Sequence, residues 1–198
     1  EKVKFLNYPD CVELSNRNTK VILGPHSGGR VLKYEHKGKE VLYLDPREAD
    51  WGTEKGKGRN FTSAGRFDIG PEYIIPRHQT LWSGAWEVVI TGARSARMVS
   101  KADAATGVRL VREFTLAENS SHLSCEQKIV NTSSETVRWC HWSRTFVKGG
   151  GIVVVPIGGQ PLRLPKGYVM YPERNLIDLQ PEDPKIRRRG NFLEILGP

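Results

Sequence analysis

Turn-forming residues recur along this chain about every ten to twelve positions, and the stretches between them are short and β-patterned. "KVILG" and "RVLKYEHKGKEVLYL" carry Val, Leu and Tyr between polar residues, with "HSGG" (His26 to Gly29) separating them and "HKGK" (His36 to Lys39) folding the second into a hairpin. "WEVVITG", "ARMVSKAD", "VRLVREFTLAE", "SHLSCEQKIVN", "TVRWCHWSRTFV" and "GIVVVPI" follow, each bounded by Gly, Asn, Ser or Asp. In "VRLVREFTLAE" the alternate residues Val108, Leu110, Arg112, Phe114 and Leu116 are mostly apolar, as in a strand with one buried face. No window repeats at the 3.6-residue period of a helix. The expected fold class is therefore all-β, a large antiparallel β-sandwich, and 198 residues suffice for a single domain spanning 1–198.

Two stretches lack this pattern. Residues 45 to 85 are rich in Gly, Pro and charge, and a loop of that length is uncommon unless it serves a function. We expect it to drape over one mouth of the sandwich. The tail from Pro161 to Pro198 reads as irregular up to "NFLEILGP".

The net charge of +8 raises the question of an anionic partner, but Lys and Arg are scattered apart from "KIRRRG" (Lys185 to Gly190). Without a basic stripe, a recognition helix or an aromatic platform, no nucleic-acid partner is expected. No apolar run reaches membrane-spanning length, so no membrane partner is expected either. Cys11, Cys125 and Cys140 are too few for a disulfide framework and match no zinc spacing. No metal and no cofactor is expected. Sequons at Asn60, Asn119 and Asn131 and a first residue that is Glu leave localisation open, a secreted or periplasmic protein being one option.

The chemistry-bearing residues fall in three places. "AGRFDIGPEY" holds Arg66, Asp68 and Glu72, and "PRHQTLW" adds Arg77, His78 and Trp82. "VRWCHWSRTF" puts Trp139, His141 and Ser143 on one strand face and Trp142 and Arg144 on the other. Aromatic rings beside Arg, His and carboxylate suit a sugar, since a ring face covers the apolar side of a pyranose while charged groups hydrogen-bond its hydroxyls. The same residues also fit a plainer reading, with the strand tryptophans as core and Arg66 and Glu72 as a solvated ion pair. Trp86, alternating with Val88 and Ile90, belongs on the apolar face. Trp82, just before the Ser83-Gly84 turn, belongs on the loop and is free to face the mouth, with His78 pointing across toward His141.

The order of segments resembles the aldose 1-epimerase (galactose mutarotase-like) superfamily. "VELSNRNTKVILGPHSGGRVLKYEHKGKEVLYLDP" resembles its opening, "TGVRLVREFTLAENSSHLSCEQKIVNTSSETVRWCHWSRTFV" its middle, and "LPKGYVMYPERNLIDL" its later "P-x-G-x-…-D" segment. The resemblance implies a mutarotase-like supersandwich that binds a sugar or glycan. It implies His141 as the general acid and His78 as a substrate histidine ahead of the Trp86-Glu87-Val88 strand, with Arg66 as a substrate-binding arginine. Glu72, Arg77, Trp82 and Trp142 complete the expected binding set. The family's general base, a C-terminal Glu, has no match here, Glu194 lying in a different context. Family domains are longer, so the sandwich is expected to be incomplete at its C-terminus, with an open sheet edge prone to self-association. Two functions stay in play: an isomerase that interconverts anomers by acid/base ring opening, and a non-catalytic glycan-binding or structural module. A third option is a basic surface around "KIRRRG" that holds acidic polysaccharide.

Overall fold

The computed structural model of the chain describes residues 1–50, 63–157 and 184–197. The sequence leads to one domain over 1–198; the structure gathers the residues into two compact units, Glu1–Val147 and Lys148–Pro198. The Asn60 sequon and "LPKGYVMYPERNLIDL" lie outside the described residues.

The first unit is built from two antiparallel sheets. One holds β1 (Lys2–Phe5), β2 (Tyr8–Ser15), β3 (Thr19–Gly24), β4 (Arg30–His36), β5 (Lys39–Glu40), β6 (Gly65–Gly70) and β11 (Cys140–Thr145), in the order β1-β2-β3-β4-β6-β11 with β5 also on β4. The other holds β7 (Glu87–Gly92), β8 (Ser95–Val99), β9 (Val108–Leu116) and β10 (Leu123–Asn131), in the order β10-β9-β8-β7. Among the described residues, helix is confined to one α-turn, α1 (Gln79–Trp82), and a 3₁₀ turn at Pro46–Glu48. The all-β class expected from the strand cadence is what the chain forms.

The core lies between the two sheets, as alternation requires. Val12, Leu14, Val21, Leu23, Phe67 and Ile69 from the first sheet pack with Ala96, Met98, Leu110, Phe114 and Leu116 from the second. Tyr8, Cys11, Ile22 and Leu32 form a smaller cluster on the opposite face of the first sheet, so β3 is buried on both sides. The turns follow the backbone chemistry of glycine. Lys37 and Gly38 both have positive φ (49° and 75°), the signature of a two-residue hairpin turn between His36 and Lys39.

The 45 to 85 stretch is not one long loop. Gly65–Gly70 is an interior strand, with every residue buried, hydrogen-bonded along its length to β11. Burial on both faces removes the polar–apolar alternation that reveals a strand, and Arg66 and Asp68 remove the apolar run that would replace it. A second buried charge pair anchors the start of this stretch. Arg30 and Glu48 are both fully buried, 2.5 Å apart, and Glu48 also accepts from the Ser63 backbone N–H (2.7 Å) and hydroxyl (2.5 Å).

In the second unit, β12 (Ile152–Pro156), β13 (Ile186–Arg189) and β14 (Phe192–Leu196) form a three-stranded antiparallel sheet in the order β12-β14-β13. The tail read as irregular thus contributes a β-hairpin, and "KIRRRG" is largely one of its strands. Glu194 stands opposite Arg187 and pairs with Arg189 at 3.2 Å, which partly neutralises that basic run.

Candidate functional site

The glycines of "HSGG" place the stretch from His78 to Trp86. Gly28 and Gly29 have positive φ (71° and 53°), and a Cβ on either would meet the Trp82 carbonyl or the Trp86 ring at 2.3 Å. Side-chain-free backbone here lets two segments lie against each other. The Gly28 N–H donates to the Gly84 carbonyl (2.9 Å) and the Trp86 N–H to the Pro25 carbonyl (2.7 Å). Trp86 is buried in the core, and Trp82, on α1, stands half-buried beside a cleft. Trp86 lies in the core as its position in the sequence led us to expect, whereas Trp82 sits on a helical turn beside the cleft and not on a loop.

The cleft has a volume of about 440 Å³. Its walls come from β6, β11 and the segment that joins β6 to α1, and they include Asp68, Glu72, Arg77, His78, Trp82, Trp142 and Arg144. Register explains the β-strand contribution: Trp142 is opposite Asp68 and Arg144 opposite Arg66 on neighbouring strands, so all four project from one face. Trp142 and Arg144 lie close together, the guanidinium 5.5 Å from the ring centroid, and Arg144 bonds the Glu72 carboxylate.

Under the cleft runs a chain of charged groups. Arg66 places its guanidinium 3.1 Å from the centre of the Trp82 ring and donates to Asp68 Oδ2 at 2.8 Å. The other oxygen, Asp68 Oδ1, lies 2.9 Å from His78 Nε2, while His78 Nδ1 is 2.7 Å from the Pro76 carbonyl. Both ring nitrogens of His78 thus face acceptors, an environment that suits the doubly protonated imidazolium. Burial by itself would lower the His78 pKa, but the bond to Asp68, the Pro76 carbonyl and the Asp68 charge outweigh it and hold it above 6.5. Burial pulls Arg66 down to about 10, against the opposing pull of Asp68, and so leaves it charged at neutral pH. Ion pair, cation–π contact and T-shaped packing of His78 against Trp82 (6.4 Å) together fix the indole.

Five of the seven residues expected at the site, Glu72, Arg77, His78, Trp82 and Trp142, line this one cleft. Arg66 supports Trp82 from behind and is not part of the lining. His141 lies elsewhere. It alternates with Trp142 on β11, turns to the face that looks at the second sheet, and bonds Gln127 Oε1 on β10 at 2.5 Å, with its ring 4.8 Å from that of Phe67. The expectation that His78 points toward His141 is therefore not met, because β6 and β11 separate them. Trp139 is structural: it packs on the core and donates to the Thr106 carbonyl at 2.8 Å. Asp68 and Arg144, named in the sequence among the chemistry-bearing residues but not in the expected binding set, also line the cleft. The shared strand face of Trp142 and Arg144 was the signal for the second, and Asp68 needed the register of β6.

Among the described residues, no three His, Cys, Asp or Glu side chains are placed to hold a metal ion, and no helix is long and apolar enough to cross a membrane. Comparison of the chain with protein-family models, with curated proteins and with solved structures found no match.

Proposed function

We propose that this chain binds a sugar or sugar-containing glycan in the cleft between Trp82 and Trp142, as a binding module without anomer exchange. The observation that carries this reading is the immobilised Trp82 ring. An indole fixed by Arg66 and His78 at the wall of a 440 Å³ cleft offers a flat apolar surface that loses little entropy when a pyranose stacks on it. Around it, Arg77, Arg144 and Glu72 provide donors and acceptors for hydroxyl groups. The cleft volume suits one or two sugar rings.

Ring opening of an aldose needs a proton donor at the ring oxygen and an acceptor at the anomeric hydroxyl, both reaching one substrate. His141, which the family resemblance implies as donor, faces away from the cleft, and His78 commits both nitrogens to internal acceptors. This distribution favours binding over turnover.

The test is a glycan-binding screen on the wild-type chain, followed by titration of Trp82→Ala and Trp142→Ala and by polarimetry with aldose anomers. We expect each variant to lose at least about tenfold in affinity, in keeping with roughly 1.4 kcal/mol per decade, and no acceleration of anomer exchange. Binding that both variants retain would refute the site. Catalysed anomer exchange would refute the non-catalytic reading and leave the site standing.

A further inference from the structure

Among the described residues three arginines are buried, and two of them have a carboxylate. Arg30 is paired with Glu48 at 2.5 Å and Arg66 with Asp68 at 2.8 Å. Arg112 is 4% exposed, and among the described residues no Asp or Glu pairs with it. It occupies the third of five inward positions on β9, between Leu110 and Phe114, where the strand pattern calls for an apolar side chain. Its Nη1 donates to the carbonyls of Gly29 (2.8 Å) and Gly65 (3.2 Å), its Nη2 lies 3.7 Å from Cys125 Sγ, and its Nε is buried with no hydrogen-bond partner among the described residues. Neutral acceptors satisfy part of the donor fork but do not balance its charge, and a buried charge without a counter-ion is costly.

Arg112 also lines a cleft. Between the two sheets of the first unit, where β10 faces β11, there is a space of about 340 Å³ bounded by Arg112, Cys125, Gln127, His141 and Ser143 with Phe114 beside them. At its side, Gln127 Oε1 accepts from Ser143 Oγ (2.9 Å) and is bonded to His141 Nε2 (2.5 Å), so further polar groups border the same space. This face of β11 is the one turned away from the Trp82–Trp142 cleft.

We propose that the inter-sheet cleft is a second binding site, one that takes the oxyanion end of a small ligand, with Arg112 as the group that balances its charge and His141 and Ser143 as polar contacts beside it. A carboxylate or a phosphoryl group fits this chemistry equally, since both present planar or near-planar oxygen pairs to a guanidinium. The occupant is an anion because, among the described residues, the space is lined by a buried guanidinium and by no carboxylate, with the Cys125 thiol at 3.7 Å as the ionisable neighbour of Arg112, and it is small because the space is. The site is independent of the sugar cleft and does not rest on the sugar reading.

The experiment is thermal unfolding and calorimetric titration of the whole chain with sodium acetate and with inorganic phosphate, at ionic strength held constant with sodium chloride. A saturable rise in the unfolding midpoint with acetate, with phosphate or with both, and none with chloride alone, is expected, and the stronger of the two names the oxyanion. Arg112→Met should abolish the response while folding as well as the wild type, because an apolar side chain of similar length removes an unbalanced charge. If Arg112→Met does not fold, Ser143→Trp at the exposed face of β11 takes its place and should block the response. No saturable response to either anion overturns the proposal, as does a response that persists in a folded Arg112→Met or in Ser143→Trp. A response lost in Arg144→Ala and retained in Arg112→Met overturns it too, by placing the anion in the other cleft.

Discussion

His78 is the residue whose charge state links the loop to the sheet. Its pKa in the folded chain is raised, so the bonds it makes as an imidazolium stabilise the fold in full below about 6.5, and that contribution fades as pH climbs through the elevated value. Denaturant midpoints of the wild type and of His78→Gln, followed from acid to mildly alkaline pH, should converge as pH rises. A constant gap would mean that the imidazole acts only by shape. Trp86, four positions past Trp82, has no such role. Trp86→Ala should cost roughly 3–5 kcal/mol in denaturant unfolding, the range for removing a buried aromatic ring. Gly29→Ala should cost about 1–3 kcal/mol for the same reason seen from the other side, since its Cβ would press into the Trp86 ring from a backbone with φ of 53°. If either variant unfolds with the wild-type midpoint, the packing of "HSGG" under "HQTLWSGAW" is wrong.

Strands with one wet face were readable, and so was β3, whose double burial shows as an apolar run; β6, buried on both faces with charges inside, was not. β9 and β10 follow the alternation of apolar and polar residues that the sequence displays, and β4 turns into β5 at the Lys37-Gly38 pair. β6 has Gly at both ends and Arg66 and Asp68 between, all buried, so neither alternation nor an apolar run marks it. The split of Trp82 from Trp86 could be read because a Ser-Gly turn lies between them. The separation of His78 from His141 could be read only in part. Alternation puts His141 and Trp142 on opposite faces of β11, but which face the Arg77–Trp82 segment covers is set by the backbone bonds Gly28–Gly84 and Pro25–Trp86, far apart in sequence. The buried pair of Arg30 and Glu48 had no local signal, because its partners come together only when the 3₁₀ turn packs under β4. Glu48→Ala should leave Arg30 buried beside a void and cost about 3–5 kcal/mol in urea unfolding, whereas the double variant Arg30→Met/Glu48→Leu should lose much less. Equal losses in the two proteins would show that the charges themselves carry the stability.

Two sheets packed on one core give this sandwich two clefts, and β11 lines both. Its odd residues, His141 and Ser143, face the second sheet; its even residues, Trp142 and Arg144, face the cleft beside α1. The central claim is that sugar binds on the tryptophan face and not on the histidine face. Biosynthetic labelling with 5-fluorotryptophan gives each of the five tryptophans its own fluorine resonance, and single Trp→Phe variants assign them. Titration with the sugar found in the glycan screen should shift the Trp82 and Trp142 resonances together and saturably, leaving Trp86 and Trp139 in place. A titration that saturates while Trp82 and Trp142 stay still, or that moves Trp139 instead, would contradict the account.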